Sequence, residues 1–151
     1  MKQSIASYTE LHLSMAFFHI PLPGYRNRDQ PMIGQHPEGV TAPKRNTHAR
    51  DVLHQIGVSA VACGHDHAND FCLMDTKEEQ DKMWMCSGGG SGEGGYGGYG
   101  GYVRRLRVFE FDTSAGNIMT WKRREDEPDK PFDEQMMVSG GKVEMISSVN
   151  E

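Results

Sequence analysis

The stretch VSAVACGHDHAND, residues 58–70, places a short apolar run directly before a glycine and two histidines that are separated by one residue. The run is rich in valine and alanine, which predicts a buried β-strand. Gly64 allows the backbone to turn tightly at the end of this strand. Residues two positions apart in an extended backbone point to the same side, so His65 and His67 are expected to face one site.

An earlier apolar stretch, LHLSMAFFHI at residues 11–20, predicts a second buried strand and carries a histidine near its end. Between the two strands, residues 49–56 repeat apolar side chains at helical spacing, and Gly57 follows as a typical helix terminator. A strand, a helix and a strand in this order form a right-handed crossover between parallel strands. Because neighbouring parallel strands end at the same sheet edge, His19 is expected to meet the two later histidines there.

Three imidazoles at one sheet edge are donors that suit zinc, iron, nickel or copper. A single histidine at a strand end more often has a structural role, but the convergence of His19, His65 and His67 predicts a metal site. The remaining histidines lack this arrangement and are expected to be structural or exposed: His12, His36, His48 and His54. The loop at residues 21–46 is unusually long for a compact domain, and loops of that length are commonly functional.

Further along the chain, MWMC at residues 83–86 predicts another short buried strand, after a charged turn or exposed helix at residues 75–82. Residues 103–121 predict a β-hairpin around the turn DTSAGN. The remaining tail is charged and has few apolar residues, so partial disorder or one edge strand is expected there. These features divide the chain into a domain at residues 1–122 and a tail at residues 123–151.

The glycine-rich segment SGGGSGEGGYGGYGGY, residues 87–102, allows three interpretations. They are a flexible linker, a nucleic-acid-binding segment whose tyrosines stack on bases, and an ordered loop near the site. The flanking strands favour the ordered loop. Arg104, Arg105 and Arg107 are expected to form a solvated strand face rather than a phosphate clamp, and the net charge of −5 argues against a nucleic-acid partner.

The composition fits one domain of ordinary size, with 151 residues of which 36% are hydrophobic. The cysteines Cys63, Cys72 and Cys86 are odd in number and two lie in or near apolar runs, which favours reduced, buried thiols over a disulfide framework. The sequence shows no secretory signal and no membrane-spanning run, so a cytoplasmic location is favoured. Phosphate-loop and nucleophile-elbow motifs are absent as well.

Several segments together strongly resemble the C-terminal half of calcineurin-like metallophosphoesterases, in the branch related to purple acid phosphatases: AFFHIPLP, ACGHDHAND, GGYGGYGGYVRRLRVFEFD and MTWKR. The resemblance covers most of the chain, from about residue 14 to residue 121. It implies an α/β fold in which the chain forms only the second half of a β-sandwich flanked by helices, with a C-terminal β-hairpin.

In this family two divalent or trivalent metal ions, iron, zinc or manganese, activate a water molecule that attacks a phosphate ester. The resemblance implies that His19 and His65 bind the second metal and that His67 binds the first. Asp66 matches a variable position and receives no ligand role. The implied function is that of a metal-dependent phosphoesterase, a hydrolase whose partner is a phosphoester substrate.

The DxH, GDxxD and GNH[DE] motifs that precede these histidines in the family do not occur in this sequence. Half of the two-metal site, with its bridging carboxylate, is therefore expected to lie in a missing N-terminal half. No catalytic residue is identified, and the isolated chain is expected to be inactive. Two alternatives stay open: an inactive remnant that binds one metal through three histidines, and an interaction module that uses the Gly/Tyr loop.

Overall fold

The computed structural model describes residues 12–76, 82–92, 96 and 102–146, and within these it contains two β-sheets and one α-helix. The first sheet comprises β1 (Met15–Phe18), β2 (Met32–Ile33), β3 (Ala60–Cys63), β4 (Cys72–Thr76) and β5 (Lys82–Ser87), in the order β1–β3–β5–β4–β2. The second sheet comprises, in spatial order, β6 (Arg105–Asp112), β7 (Asn117–Arg124), β8 (Phe132–Ser139) and β9 (Lys142–Val143). Helix α1 spans Ala49–Gln55, and a short 3₁₀ helix spans Pro23–Arg26. No helix in the described ranges is long and apolar enough to cross a membrane.

The predicted crossover is present in the structure. Strands β1 and β3 are parallel neighbours, with Phe18 opposite Cys63 at their carboxyl ends. Helix α1 connects them, and Gly57 follows the helix with a φ of +88°, a conformation that favours glycine. The register therefore places the residues that follow β1 and β3 at one edge of the first sheet.

The first sheet is the middle of three layers. One face packs on the second sheet, through buried residues that include Trp84, Ile118 and Met137. The indole N–H of Trp84 donates to the Met137 carbonyl at 3.0 Å, which ties the two sheets together. The other face is covered by α1 and the long loop after β1, through Leu53 and the fully buried Tyr25. The α/β expectation therefore agrees with the observed layers, while the second half of a phosphoesterase sandwich stays a prediction.

The segment at residues 75–82 differs from the expected charged turn or exposed helix. Asp75 and Thr76 belong to β4, which pairs antiparallel with the predicted strand β5, and residues 77–81 lie outside the described part of the chain. Because Asp75 is charged, the sequence pattern does not indicate that this residue belongs to β4. Its carboxylate is paired with Arg50 at 2.6 Å, and this ion pair lets the charge remain at the partly buried end of the strand.

The expectation of reduced thiols is wrong for two of the three cysteines. Cys72 and Cys86 lie directly opposite each other in β4 and β5 and form a disulfide. The pairing of these strands brings the two residues together, and the spacing in the sequence does not show it. Cys63 is free and buried as expected, and burial raises the pKa of its thiol to about 11, so it stays protonated at neutral pH.

The charged tail contains more regular structure than one edge strand. The predicted hairpin of β6 and β7 is confirmed, and β8 adds to it as an inner strand, with β9 at the edge. Met137 and Val138 of β8 are fully buried against the first sheet. The pairing of β7 and β8 is irregular between Ile118 and Met119, and this irregularity lets two adjacent residues of β8 both be buried.

Candidate functional site

His19 and His65 meet at the edge of the first sheet. Nδ1 of His65 lies 3.2 Å from Nε2 of His19, and the rings are nearly perpendicular with their centroids 5.1 Å apart. The parallel register of β1 and β3 produces this contact, because it ends the two strands side by side. The structure thus contains the predicted convergence of these two side chains.

His65 lies at the centre of a tight turn. Its φ is +74°, and the N–H of Asp66 donates to the carbonyl of Gly64 at 3.0 Å. A hydrogen bond between these positions around a residue with positive φ corresponds to a γ-turn of the rare, strained type. Such strain costs about 1–3 kcal/mol and is concentrated at functional sites. The sequence assigns the tight turn to Gly64, whereas the structure places the strained residue at His65.

His67 is held by a different set of contacts. Its ring stacks on Tyr96 with a centroid distance of 4.2 Å, and its backbone N–H donates to the Tyr96 hydroxyl at 2.7 Å. The expectation that His65 and His67 point to the same side assumed an extended backbone, and the turn at His65 removes that condition. Within the described residues, no group of three or more histidine, cysteine, aspartate or glutamate side chains is arranged to hold a metal ion.

The contact with Tyr96 also determines which nitrogen of His67 carries the proton in the neutral imidazole. Nδ1 of His67 lies 2.6 Å from the carbonyl oxygen of Tyr96. A carbonyl only accepts, so Nδ1 is the donor and Nε2 is left with a free lone pair. Metal-binding histidines are commonly oriented by a carbonyl in this way. His67 is therefore prepared to bind a ligand through Nε2.

The long loop between β1 and α1 holds the GHDHAND turn in place. The N–H of Thr41 donates to Asp66 Oδ2 at 2.9 Å, and Glu38 Oε1 accepts the N–H of Ala68 at 2.5 Å. The Tyr96 hydroxyl also donates to Glu38, at 3.2 Å. The buried Asp66 is thus occupied by a backbone contact.

A buried ion cluster anchors the end of the same turn to the second sheet. Asp70 is fully buried, its Oδ1 accepts from Lys122 Nζ at 2.8 Å, and its Oδ2 accepts from Arg105 Nη1 at 2.7 Å. The N–H of Gln35 adds a bond to Oδ1 at 2.6 Å. Gly34 adopts a φ of +105°, and a side chain there would approach Asp70 and Lys122 to within 2.9 Å. Only glycine fits beside this cluster.

Arg105 and Arg107 are not the solvated strand face that the sequence predicts. Arg105 is buried, and Arg107 donates to the carbonyl of Asp70 at 2.5 Å and to the carbonyl of Ser87 at 3.1 Å. Burial lowers the pKa of Arg107 to about 10, so it remains charged at neutral pH. Leu106, by contrast, is 45% exposed. Alternation in a sequence defines two faces of a strand, but here the charged face is the covered one.

The described part of the Gly/Tyr segment lies against the candidate site. Residues 87–92, 96 and 102 are described, and the rest of this segment falls outside the described ranges. A Cβ on Gly90 would lie 2.8 Å from the Cβ of His67, so this backbone approaches the histidine closely. The Gly90 carbonyl accepts from Arg105 N–H at 2.9 Å. These contacts favour the ordered-loop interpretation for the residues that are described.

Sequence reasoning missed Glu38, Asp70 and Tyr96 as residues that position the site. Glu38 belongs to the long loop, whose spacing gives no pattern. Asp70 ends the quoted GHDHAND segment, but its partners lie in the second sheet, more than thirty residues away. Tyr96 belongs to a tyrosine repeat, and the repeat assigns no separate role to this position. The length of the loop was the one signal that pointed to this region.

The spacing of His19 and His65 fits a shared metal ion. Two imidazole nitrogens bound to one tetrahedral zinc at about 2.05 Å lie about 3.3 Å apart. The observed separation is 3.2 Å. Without a metal, the same separation is that of a hydrogen bond between the rings, so they are already held at the distance that a shared ion requires.

Comparison with curated proteins finds relatives that include proteins named as phosphatases. It is 49% identical over 142 residues to phosphatase DCR2 of Saccharomyces cerevisiae, an alignment that covers 89% of the chain and 24% of the relative. It is 37% identical over 134 residues to probable inactive purple acid phosphatase 28 of Arabidopsis thaliana, covering 82% and 32%. Protein SIA1 of Kluyveromyces lactis is 32% identical over 132 residues, covering 83% and 22%.

The chain thus spans between 22% and 32% of the length of these three relatives. No protein-family model matches the chain. No solved structure matches it either.

Proposed function

We propose that this chain carries part of the active site of a metal-dependent phosphoesterase, with His19 and His65 as ligands of one metal ion and His67 as a ligand of a second. The observation that carries the proposal is the 3.2 Å contact between His19 Nε2 and His65 Nδ1 at the edge of the first sheet. The relatives named as phosphatases support the reaction class. The strained turn at His65 supports a functional role for this position.

Each histidine has a distinct task in this proposal. His19 and His65 present two ring nitrogens to one ion, and the rigid ends of β1 and β3 hold them there. His67 offers Nε2, because the Tyr96 carbonyl occupies its Nδ1. These histidines would hold metal ions that lower the pKa of a bound water molecule, and the chemistry supplied there would be a hydroxide nucleophile at neutral pH.

The chain supplies histidines to this site but lacks the family's motifs for the bridging carboxylate and the asparagine ligand. We therefore propose that it forms one half of a dinuclear site and that the complementary half comes from outside these 151 residues. The alternative function is that of an inactive protein that binds a single metal ion.

Metal binding by the chain tests the proposal directly. Zinc is titrated by calorimetry into the wild-type chain and into the variants His19→Ala, His65→Ala and His12→Ala. His12 is exposed and lies before β1, so His12→Ala is the matched control. Loss of either site histidine is expected to weaken zinc binding by a factor of about 100, at the upper end of what losing one supporting residue costs, while the control keeps the wild-type affinity.

Two results would overturn parts of the proposal. Equal zinc affinity in all four proteins would remove the histidine pair as a metal site. Turnover of a chromogenic phosphomonoester by the metal-loaded chain alone, at about 1 s⁻¹ or faster, would show that the half-site assignment is wrong.

A further inference from the structure

A cluster of six cationic side chains occupies one end of the hairpin formed by β6 and β7. Antiparallel pairing brings the segments VRRLR and WKRR together, with Arg105 opposite Arg124 and Arg107 opposite Lys122. The members of this cationic cluster are Arg104, Arg105, Arg107, Lys122, Arg123 and Arg124. So many positive charges at one hairpin end repel one another unless anions compensate them.

Three members of the cationic cluster have carboxylate partners. Asp70 pairs with both Arg105 and Lys122, and Asp133 also pairs with Lys122. Arg124 pairs with Asp126. These contacts lie on the covered face of the hairpin or at its end, and on the covered face Arg107 donates to the carbonyls of Asp70 and Ser87.

Arginines on the outer face of the hairpin lack such carboxylate partners among the described residues. Arg104 has a buried Nη1 atom with no hydrogen-bond partner among the described residues. Arg123 donates to the neutral carbonyl of Pro128, and no described carboxylate pairs with it. A buried guanidinium nitrogen without an acceptor is costly, and such groups commonly mark a ligand or ion.

These two arginines line one cavity of about 210 Å³. Its wall contains four arginines and a single carboxylate, Glu125, and Ser91 from the start of the Gly/Tyr segment closes another side. Arg105 and Arg124 also line a neighbouring cavity of about 710 Å³. The local charge therefore favours an anion even though the whole chain is acidic.

We propose that this cavity binds a phosphoryl group, with the guanidinium groups of Arg104 and Arg123 as its principal donors. Guanidinium groups form planar, paired hydrogen bonds to phosphate oxygens, and a phosphoryl dianion presents enough acceptors for two such groups. No described histidine lines this cavity, and the proposal does not depend on the metal role of the histidines. Free inorganic phosphate and a phosphate group on a larger molecule share this chemistry.

Phosphate titration in the presence of a chelator tests the site without contribution from metals. Inorganic phosphate is titrated by calorimetry into the wild-type chain and into Arg104→Gln, Arg123→Gln and Lys142→Gln. Lys142 is an exposed cation in β9, at the opposite end of the second sheet, so Lys142→Gln is matched in charge. Each arginine variant is expected to bind phosphate at least about tenfold more weakly than wild type, the effect of losing one charge-assisted hydrogen-bonded pair, and the control is expected to bind like wild type.

The outcomes separate this proposal from the proposed function. His65→Ala is expected to keep full phosphate affinity, so failure of the metal site leaves this result intact. The absence of saturable phosphate binding would overturn the proposal, and so would equal weakening by Lys142→Gln. A phosphoserine peptide as a second ligand distinguishes the sources: tighter binding than inorganic phosphate indicates a phosphate on a larger molecule, and equal binding indicates the free ion.

Discussion

The two ends of the GHDHAND turn are built in opposite ways. At its start, His65 is strained, partly exposed and in contact with His19 through a single nitrogen pair. At its end, Asp70 is fully buried, and both its carboxylate oxygens are occupied by cations. The first end is strained and partly exposed, while the carboxylate at the second end is saturated.

This difference teaches how the strained turn is maintained. A γ-turn with positive φ persists only when surrounding contacts over-determine it. The Asp70 cluster fixes one side of the turn to the second sheet, and the long loop fixes its middle through Glu38 and Thr41. Stability at one end therefore supports a strained geometry at the other.

The largest loss of stability is expected when the buried ion cluster at Asp70 is disrupted. Asp70→Ala leaves Lys122 and Arg105 buried without their shared carboxylate, and loss of one partner from a buried ion pair costs about 3–5 kcal/mol. Urea unfolding measures the loss. Asp133→Ala is the matched control, because its side chain is 34% exposed and Lys122 keeps Asp70. Equal losses in the two variants would contradict the central role of Asp70.

A second loss of stability is expected when the disulfide at the start of β4, two residues after Asp70, is reduced. Cys72 and Cys86 are 14 residues apart, and closing a loop of this size stabilises a protein by about 3 kcal/mol. Reduction is therefore expected to lower the free energy of unfolding by about that amount. A Cys72→Ala/Cys86→Ala variant should show no further response to reductant. An unchanged stability on reduction of the wild-type chain would refute the prediction.

At the strained end of the turn, a substitution is expected to raise the free energy of unfolding rather than lower it. His65→Gly places glycine where φ is +74°, and relief of the positive-φ strain is expected to raise the free energy of unfolding by about 1 kcal/mol. The same change removes a proposed metal ligand. His65→Ala keeps the strain and loses the ligand, so it separates the two effects. A destabilised glycine variant would show that the turn is not strained.

The smallest effect concerns His36, which stacks on Phe71 and has both ring nitrogens buried without described partners. Burial, and to a lesser degree Arg28, lowers the pKa of His36 below its ordinary value of 6.5. The unfolded chain therefore takes up a proton first as the pH falls below 6.5, and stability decreases from there down to the folded pKa. His36→Phe is expected to show a shallower loss of stability between pH 7 and pH 5 than wild type in parallel urea titrations. Identical pH profiles would exclude His36 as the source.

The sequence predicted the elements whose signal is local or follows from connectivity. The apolar runs predicted β3 and β5. The rule for crossover connections predicted that His19 lies close to His65. The sequence did not predict the disulfide or the burial of Arg105 and Arg107, because those depend on strand register and on which face another sheet covers. Asp70 has partners in a different sheet, and no spacing in the chain reveals them. Long-range pairing is the information that the local pattern lacks.

The central claim is that His19 and His65 hold one metal ion, and a crystal of the chain grown with saturating zinc tests it most directly. Anomalous diffraction at the zinc edge locates the ion. The account predicts a peak about 2.0–2.1 Å from both His19 Nε2 and His65 Nδ1. A zinc-saturated crystal with no peak between these nitrogens, and with the rings still in direct hydrogen-bond contact, would contradict it.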